Sequence, residues 1–257
     1  MTERVLITGA AGGVGTLLRP RLARPGRVLR LLDVAPVLPG DGAEVVTASV
    51  TDPEAMAAAC ADVDVVIHLG GHSREAPWAD ILTVNIDGTY RVLEAARHAG
   101  VRLVIFASSN HAVGFHPAGQ APDDLYPRPD TYYGVSKVAG EALGSLYHDR
   151  YGLNVLCVRI GTCIERPVTE RHLGTWLSPD DCARLFEAAI AFPGTGFRIV
   201  WGISANTRAQ FSLAAGRELG YEPRDDAEKY ADDVTPSSEL DRTYLGGEEF
   251  CGPETNF

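Results

Sequence analysis

Short apolar runs alternate with helix-like stretches over roughly the first 200 residues of the chain. Seven of these runs are candidate strands, and most of them are dense in valine, isoleucine and leucine without polar alternation, which is typical of parallel strands buried on both faces. The predicted strands span residues 5–8, 28–32, 44–48, 65–69, 103–107, 155–160 and 198–201. Because helical stretches separate these strands and the connections are short, the pattern predicts a doubly wound parallel α/β sheet.

Two of the predicted helices have clear start signals. Asp52-Pro53 and Ser178-Pro179 are each followed by acidic residues. An Asp or Ser side chain can accept hydrogen bonds from the first free backbone amides of a helix. Proline fits the next position because its missing N–H would have no partner there. We therefore expect helices to begin at Pro53 and at Pro179.

One connection is much longer than the others. Residues 109–130 contain four prolines and show no periodicity. A loop of this length in a compact domain is usually functional or disordered. It follows the fifth predicted strand at its carboxyl end, where open α/β sheets bind ligands. After about residue 160 the alternation weakens, and the tail from Tyr221 is polar and turn-rich, which indicates a small ligand-facing region.

A glycine-rich turn follows the first predicted strand directly. Gly9, Gly12 and Gly15 have the spacing Gly-x-x-Gly-x-x-Gly, and a predicted helix comes next. The first glycine permits a tight turn and the second lets backbone amides approach a pyrophosphate. The third lets the helix pack closely on the strand, and the helix N-terminus favours the negative charge. This placement predicts a dinucleotide-binding site.

An acidic residue at the end of the second predicted strand bears on the choice of dinucleotide. Asp33 lies 18 residues beyond Gly15, where a carboxylate can accept hydrogen bonds from the adenosine ribose. The same carboxylate would repel a 2′-phosphate, so NAD is favoured over NADP. A simple strand-end cap is the alternative, and Arg30 would soften the preference only if it reached the same hydroxyl. His68 is expected to be a packed or hydrogen-bonded histidine.

Tyr133 and Lys137 are the predicted proton-transfer pair. A spacing of four residues places both side chains on one helix face. A free tyrosine has a pKa of about 10, and a nearby ammonium lowers it by favouring the phenolate. The same ammonium can hydrogen-bond the nicotinamide ribose. Alone, this spacing would indicate a surface pair. After a dinucleotide fingerprint and a long loop at the sheet edge, it predicts an active site.

The net charge and the length of the chain exclude several classes of protein. The 257 residues carry a formal net charge of −11. A surface of this sign repels a polyphosphate backbone, so nucleic acid is not an expected partner. No apolar signal core opens the chain and no run of about 18 apolar residues occurs, so we expect a cytoplasmic protein without a membrane partner. The length suits one large α/β domain.

The cysteines also fit a cytoplasmic protein. An odd number of scattered thiols without CxxC spacing fits neither a disulfide framework nor a zinc site. We therefore expect reduced thiols and no metal. The five residues are Cys60, Cys157, Cys163, Cys182 and Cys251.

Several motifs together resemble a known family. TGAAGGVG (8–15), Asp33, HLGG (68–71) and YGVSK (133–137) resemble the extended short-chain dehydrogenase/reductase superfamily, in its NAD-dependent epimerase/dehydratase branch. Further stretches are similar to bacterial uronate dehydrogenases in particular. They are HLGGHSREAPW (68–78), ASSNHAVGFHP (107–117), RPDTYYGVSK (128–137), RIGTC (159–163), TWLSPDD (175–181) and VWGISAN (200–206).

The resemblance implies a single Rossmann-type domain that oxidises the anomeric carbon of a free hexuronic acid, such as glucuronate or galacturonate, to an aldarolactone with NAD. Residues 1–160 would mainly bind NAD, and residues 161–257 would mainly face the substrate. Tyr133 would take the C1 hydroxyl proton as hydride leaves for the nicotinamide. Ser109, Asn110 and His111 would hydrogen-bond the sugar, and Ser73 would add another contact.

Arg171 is the residue expected to bind the uronate carboxylate, because a guanidinium can form two parallel hydrogen bonds with it. A surface arginine near Glu170 is the alternative. Thr162 and Cys163 are expected to line the substrate site, with Cys163 contributing shape and not redox chemistry. For His111 the alternative is a core histidine whose hydrogen bonds are satisfied within the protein.

The resemblance also implies a larger set of cofactor contacts, drawn from every strand end along the sheet edge. The expected residues are Gly9, Ala11, Gly12, Gly13, Val14, Gly15, Asp33, Val50, Leu69, Gly70, Gly71, Ser73, Asn85, Ser108, Tyr133, Lys137, Ile160 and Cys163.

Two positions depart from the superfamily pattern. Its members usually carry Ser or Thr as a third catalytic residue, whereas this chain has Asn110 at that position, which leaves Ser109 as a helper. An amide can still donate a hydrogen bond to the substrate oxygen. Relatives often bind adenine through an acid where this chain has Ser49, and Asp52 is a candidate substitute.

Two other functions were weighed. A nucleotide-sugar epimerase or dehydratase needs room for a diphosphate nucleoside, and only 97 residues follow Ile160. A non-catalytic dinucleotide sensor need not retain Tyr133 together with Lys137. Superfamily relatives commonly pair through two helices, and those predicted around residues 79–98 and 133–151 could form such a homo-oligomer.

Overall fold

The structure is a computed structural model that describes residues 2–38, 40, 42–119 and 121–253. The predicted substrate-facing segment extends to residue 257, and its last four residues lie outside the described part.

A seven-stranded sheet in which every strand is parallel to its neighbours forms the centre of the molecule. The strand order is β3-β2-β1-β4-β5-β6-β9. All seven predicted strands are confirmed to within two residues at each end. They are β1 (Glu3–Thr8), β2 (Arg27–Asp33), β3 (Glu44–Thr47), β4 (Val65–His68), β5 (Leu103–Ser109), β6 (Asn154–Ile160) and β9 (Phe197–Gly202).

Helices cover both faces of the sheet because alternate residues of each strand face opposite sides. In β1, Val5 and Ile7 join a core with α1 (Gly13–Leu22) and α7 (Pro179–Ala191). Leu6 joins a second core on the other face, with α2 (Pro53–Cys60), α4 (Gly88–Ala99) and α5 (Tyr132–Tyr151). The doubly wound arrangement predicted from the alternation is confirmed.

Both predicted helix starts are confirmed. The Asp52 side chain accepts from the backbone amides of Glu54 and Ala55 at the start of α2. Ser178 accepts from the Asp181 amide at the start of α7. The Asp52 carboxylate is therefore engaged as the N-terminal cap of α2.

The predicted helix around residues 79–98 is a composite. A short α3 (Trp78–Asp80) passes into a π-helical stretch, Ile81–Asp87, before α4 begins. The wider π turn changes which side chains face the sheet, so helical periodicity does not place residues of this stretch reliably.

After β6 the chain both completes the sheet and extends beyond it. A short parallel pair, β7 (Thr162–Cys163) and β8 (Trp176–Leu177), lies beyond the end of β6, and α6 (His172–Thr175) stands between them. The chain then passes through α7, and β9 pairs with β6 as the last strand of the sheet. Small elements follow, namely α8 (Ala214–Glu218), a 3₁₀ stretch (Ala227–Asp233), α9 (Glu239–Thr243) and α10 (Glu248–Cys251).

The long connection after β5 is folded back on itself and holds the C-terminal segment. It starts with a 3₁₀ turn, Asn110–Val113. The Leu245 amide donates to the His116 carbonyl, and the Gly246 amide donates to the Gly114 carbonyl. These bonds place the last described helices over the carboxyl edge of the sheet. Within the described ranges, no helix is long and apolar enough to cross a membrane.

Candidate active site

A cavity of about 1060 Å³ opens at the carboxyl edge of the sheet. It extends from the glycine turn after β1 to the C-terminal segment. Nearly all of the predicted site residues line it, and Asn85 and Asn110 do not. The predicted residues in the lining are Gly9, Ala11, Gly12, Gly13, Val14, Gly15, Asp33, Val50, Leu69, Gly70, Gly71, Ser73, Ser108, Ser109, His111, Tyr133, Lys137, Ile160, Thr162, Cys163 and Arg171.

The glycine turn forms a cradle with no room for side chains at two of its positions. Gly9 has a positive φ of 71°, and a Cβ there would lie 2.7 Å from the Gly70 amide nitrogen. A Cβ at Gly15 would overlap the Gly9 carbonyl oxygen. This close packing of strand, turn and helix leaves backbone facing the cavity, as a bound pyrophosphate requires. The residues present therefore fit a dinucleotide.

Asp33 lies beside this turn at the end of β2. Its Oδ2 accepts from the Ala11 amide at 2.9 Å, and its Oδ1 accepts from the Ala35 amide at 2.9 Å. Each carboxylate oxygen keeps further acceptor capacity toward the cavity. Arg30 is directed elsewhere, because its guanidinium is bound to Glu44 and to the carbonyls of Ala59 and Ala61.

His68 behaves as a structural residue. Its ring is held between the hydroxyls of Thr8 (2.8 Å) and Thr89 (3.0 Å). Burial lowers its pKa to about 3, with the charge of Lys137 adding to the effect. His68 is therefore neutral at physiological pH, and the expectation of a hydrogen-bonded histidine is confirmed.

Tyr133 lies in the first turn of α5, whose start is held by two side chains. Thr131 Oγ1 accepts from the Gly134 amide at 3.0 Å. Glu75 reaches across from the loop after β4 and accepts from the amides of Tyr132 and Tyr133 at 3.0 and 2.6 Å. A carboxylate at this end also interacts favourably with the helix dipole. The sequence analysis missed Glu75, because nothing in its local pattern marks a cap for a helix more than 50 residues away.

Lys137 follows one turn later with its ammonium 5.3 Å from the centre of the Tyr133 ring. Its Nζ donates to the Ala107 carbonyl at 2.8 Å. Burial lowers the pKa of Lys137 to about 8, while Glu141 acts in the opposite direction. The side chain is therefore mostly charged at neutral pH.

The pKa of Tyr133 shifts in the direction opposite to the expectation from sequence. Burial raises it to about 12, and the nearby Ser109 hydroxyl only partly opposes this. In this buried position the desolvation of a phenolate outweighs the distant ammonium. Forming the phenolate therefore requires additional positive charge at the site.

The Ser108 hydroxyl is hydrogen-bonded to a buried ion pair near Lys137, formed by Glu141 and Arg159. Glu141 receives two hydrogen bonds of 2.8 Å from Arg159 and one of 2.6 Å from Ser108 Oγ. Ser108 therefore lines the cavity with a hydroxyl already committed as a donor.

Asn110, which the sequence indicated as the third catalytic residue, does not line the cavity. Its side-chain amide donates to the Leu245 carbonyl at 3.2 Å and supports the C-terminal segment. The 3₁₀ turn that begins at Asn110 directs this side chain away from the cavity, and Ser109 is the neighbour that acts on the Tyr133 phenol. Of these two neighbours, Ser109 is therefore the one whose hydroxyl lies beside the Tyr133 phenol.

Asn85 was also expected to contact the cofactor, and its hydrogen bonds lie elsewhere. It accepts from the His72 amide and donates to the His72 carbonyl and to Ser136 Oγ. Located in the π-helical stretch, it fixes the loop after β4 against α5. It therefore shapes the cavity without lining it.

Arg171 lies at the end of the cavity opposite the glycine turn. Its Nη2 donates to the Leu245 carbonyl at 2.6 Å, and burial lowers its pKa. Among the described residues its Nε has no hydrogen-bond partner, and the nearest carboxylate, Asp241, is 4.0 Å away. A buried guanidinium with unused donors favours an anionic ligand. The alternative of a surface arginine is wrong.

The part of the cavity formed by Arg171, His111 and the C-terminal segment is called the substrate end below. It also contains residues that were not predicted from the sequence. Phe250 from α10 stacks on His111 with ring centres 3.6 Å apart. Arg74 Nη1 donates to Glu249 at 2.5 Å and joins the loop after β4 to α10. These contacts connect segments more than 100 residues apart, so no local sequence signal could reveal them.

The chain is similar to known proteins in sequence and in fold. Residues 5–167 match the NAD dependent epimerase/dehydratase family. The uronate dehydrogenase of Pseudomonas putida is 42% identical over 95% of this chain and 94% of its own length. The NAD-dependent glucose-6-phosphate dehydrogenase of Haloferax volcanii is 40% identical over 93% of this chain and 100% of its own. A mutant uronate dehydrogenase from Agrobacterium tumefaciens, solved with NAD, superimposes with a TM-score of 0.92 at 39% identity, covering 98% of both chains.

Proposed function

The chain belongs to the NAD-dependent epimerase/dehydratase family, and we propose that it oxidises C1 of a free hexuronic acid to an aldarolactone. The single observation that carries this proposal is one cavity with a dinucleotide cradle at one end and the buried guanidinium of Arg171 at the other. Tyr133 and Lys137 lie between them. Glucuronate and galacturonate each carry a carboxylate that can bind Arg171. Each also carries an anomeric hydroxyl on which Tyr133 and Lys137 can act.

The chain's own groups position the cofactor and move the proton. The cradle from Gly9 to Gly15 holds the pyrophosphate, and Asp33 accepts from the adenosine ribose. When bound, NAD⁺ supplies the hydride acceptor and a positive charge beside the reacting carbon. Tyr133 removes the proton of the C1 hydroxyl, and the Lys137 ammonium stabilises the phenolate.

The remaining contacts orient the sugar. Arg171 binds the carboxylate through the donors that Leu245 leaves unused. Ser109 hydrogen-bonds the reacting oxygen together with Tyr133. Ser73, His111 and Thr162 line the space between these two points and meet the sugar hydroxyls. Ile160 and Cys163 also line the cavity and would help to enclose a bound dinucleotide.

Glucose 6-phosphate is a second candidate substrate. The Haloferax relative named for this sugar phosphate is 40% identical over 93% of the chain. A phosphate would also bind a guanidinium, so Arg171 alone does not separate the two. A nucleotide sugar would require a different reaction, in which NAD is not consumed overall.

A steady-state screen tests the proposal. The purified protein is mixed with NAD or NADP and with glucuronate, galacturonate, glucose, galactose, glucose 6-phosphate or a nucleotide sugar, and NADH absorbance is followed. We expect turnover with the two uronates and NAD, and much less with the matched neutral sugars or with NADP. Faster turnover of glucose 6-phosphate than of either uronate would contradict the proposal. Conversion of the nucleotide sugar without net NADH would indicate an epimerase, and NAD binding with no turnover would indicate a sensor.

Assembly and location belong to the same proposal. Large apolar side chains are exposed on the two helices that pair in many relatives: Tyr90 is 44% exposed, and Leu146 and Tyr151 are each 48% exposed. This pattern supports a homo-oligomer formed through α4 and α5. Sedimentation of the wild type and of Leu146→Glu tests it, because the charge should dissociate such an assembly.

The free thiols in the described part support a cytoplasmic location, which cell fractionation checks.

A further inference from the structure

His111 and Asp130 form a buried pair beside the substrate end of the cavity. His111 Nδ1 lies 2.7 Å from Asp130 Oδ2, and the Asp130 side chain is 0% exposed. Asp130 Oδ1 accepts a second hydrogen bond of 2.9 Å from Thr131 Oγ1. Because a carboxylate without a proton can only accept, the hydrogen bond to His111 places a proton on Nδ1.

Three glycines pack closely around this carboxylate. A Cβ at Gly114 or at Gly246 would overlap Asp130 Oδ2, and one at Gly134 would lie 3.1 Å from Asp130 Oδ1. These glycines come from three separate segments of the chain. None of them has the positive φ that would call for glycine. The close approach of Asp130 excludes a side chain at Gly114 and at Gly246, whereas at Gly134 the His111 carbonyl oxygen excludes one.

Two aromatic side chains hold the rest of the His111 ring. One face of the ring stacks on Phe250, and Tyr133 meets it edge-on with ring centres 5.9 Å apart. His111 lines the cavity. Within the described part of the chain, Nε2 has no hydrogen-bond partner. In a neutral imidazole that carries its proton on Nδ1, Nε2 is an acceptor.

We propose that Asp130 is a positioning residue that fixes the tautomer of His111, so that Nε2 accepts a hydrogen bond from a hydroxyl of the bound sugar. This inference rests on the proposed function, which makes the ligand a hexuronic acid. An imidazole with the opposite tautomer would present an N–H to the same hydroxyl and would remove the hydrogen bond that His111 Nδ1 donates to Asp130. Asp130 therefore acts on substrate recognition through His111 and does not touch the substrate.

A double-mutant cycle tests this coupling. Asp130→Asn, His111→Phe and the double variant are compared with the wild type on glucuronate, and the Phe variant keeps an aromatic ring against Phe250. We expect each single variant to lose about 30-fold in kcat/KM, and the double variant to lose no more than about threefold beyond His111→Phe. The affinity for NAD, measured by fluorescence quenching, should stay within about twofold of the wild type in all three, because the cradle is untouched.

A purely structural role would give a different pattern. If Asp130→Asn costs the same factor in the His111→Phe background as in the wild type, the losses are additive and the proposal is overturned. Asp123→Asn is the matched control, since Asp123 lies in the same loop and accepts from Ser212 Oγ at 2.8 Å, away from His111. This control should keep wild-type kinetics.

The tautomer can also be read directly in the wild type, which removes any dependence on the folding of a variant. Protein labelled with ¹⁵N-histidine is examined by long-range ¹H–¹⁵N correlation, and His111→Phe identifies the signals. We expect a protonated Nδ1 and a bare Nε2. A proton on Nε2 in the neutral ring would overturn the proposal. If the wild type oxidises no uronate, the proposed function fails while this tautomer measurement still decides the role of Asp130.

Discussion

The two ends of the cavity are built in different ways. The cofactor end consists mainly of backbone, and its first half is a single stretch from Gly9 to Gly15. The substrate end consists of side chains from segments far apart, including His111, Arg171 and Phe250. A cradle of backbone recognises a part that is identical in every NAD molecule. Side chains borne on loops can be exchanged one at a time, so that end is where substrate choice resides.

Tyr133 stands where the two ends meet, and its loss should have the largest effect. Tyr133→Phe removes the proton acceptor and keeps the ring in its packing. We expect kcat to fall by roughly 10³-fold or more, because positioned acid–base groups contribute effects of this order. NAD affinity, measured by calorimetry, should be unchanged. An equal loss of turnover and of NAD binding would show that the residue supports the cofactor end as a structural element.

Arg171 tests the substrate end alone. Arg171→Ala removes the buried guanidinium, and we expect KM for glucuronate to rise roughly 100-fold, in line with the loss of one partner from a buried charge pair. The dissociation constant for NAD should change little. Arg166→Ala is the matched control, since Arg166 is an exposed arginine on the same segment. An unchanged KM in Arg171→Ala would mean that the carboxylate is bound elsewhere.

Gly15 tests the cofactor end alone. A Cβ at Gly15 would overlap the Gly9 carbonyl, whereas one at Gly13 would meet nothing within 4 Å. Gly15→Ala should therefore lower the free energy of unfolding by about 1–3 kcal/mol and weaken NAD binding at least tenfold. Gly13→Ala should change the free energy of unfolding by less than about 0.5 kcal/mol, because its Cβ would meet no atom. An equal loss of stability in the two variants, measured by thermal unfolding, would refute the steric account of the cradle.

The pH dependence tests the coupling of Tyr133 to Lys137 and should be a smaller effect, at most about tenfold per pH unit. Burial raises the pKa of Tyr133 to about 12, so below that value the phenolate fraction increases with pH. The pKa of Lys137 is lowered to about 8, so its charge is lost above that pH. The wild-type kcat should therefore rise between about pH 6 and pH 8 and then level off. A flat profile in that window would argue against a tyrosine base.

The features that could be predicted from the sequence divide between the two ends in the same way. The strands were predictable because buried parallel strands read as unbroken apolar runs, and the helices at Pro53 and Pro179 had their caps in the local sequence. The glycine turn and Asp33 could be placed at the cavity because local spacing along one strand–turn–helix unit sets their positions. The spacing of four residues likewise placed Tyr133 and Lys137 on one helix face.

Other assignments needed tertiary structure. Asn85 lies in a π-helical stretch, where the ordinary helical period no longer tells which way a side chain points. Ser109 and Asn110 are adjacent in sequence, and only the 3₁₀ turn decides which of them meets Tyr133. The pKa of Tyr133 depends on burial, which a spacing of four residues does not encode. Asp130 and Phe250 act through partners remote in sequence, so nothing local distinguishes them from ordinary loop residues.

Isotope transfer tests most directly the claim that hydride leaves C1 of a uronic acid within this cavity. Glucuronate labelled with deuterium at C1 is oxidised by the wild type with NAD, and the reduced cofactor is examined by NMR. We predict one deuterium at C4 of the nicotinamide ring and an aldarolactone without the label. Unlabelled NADH, or deuterium retained in the sugar product, would contradict the account.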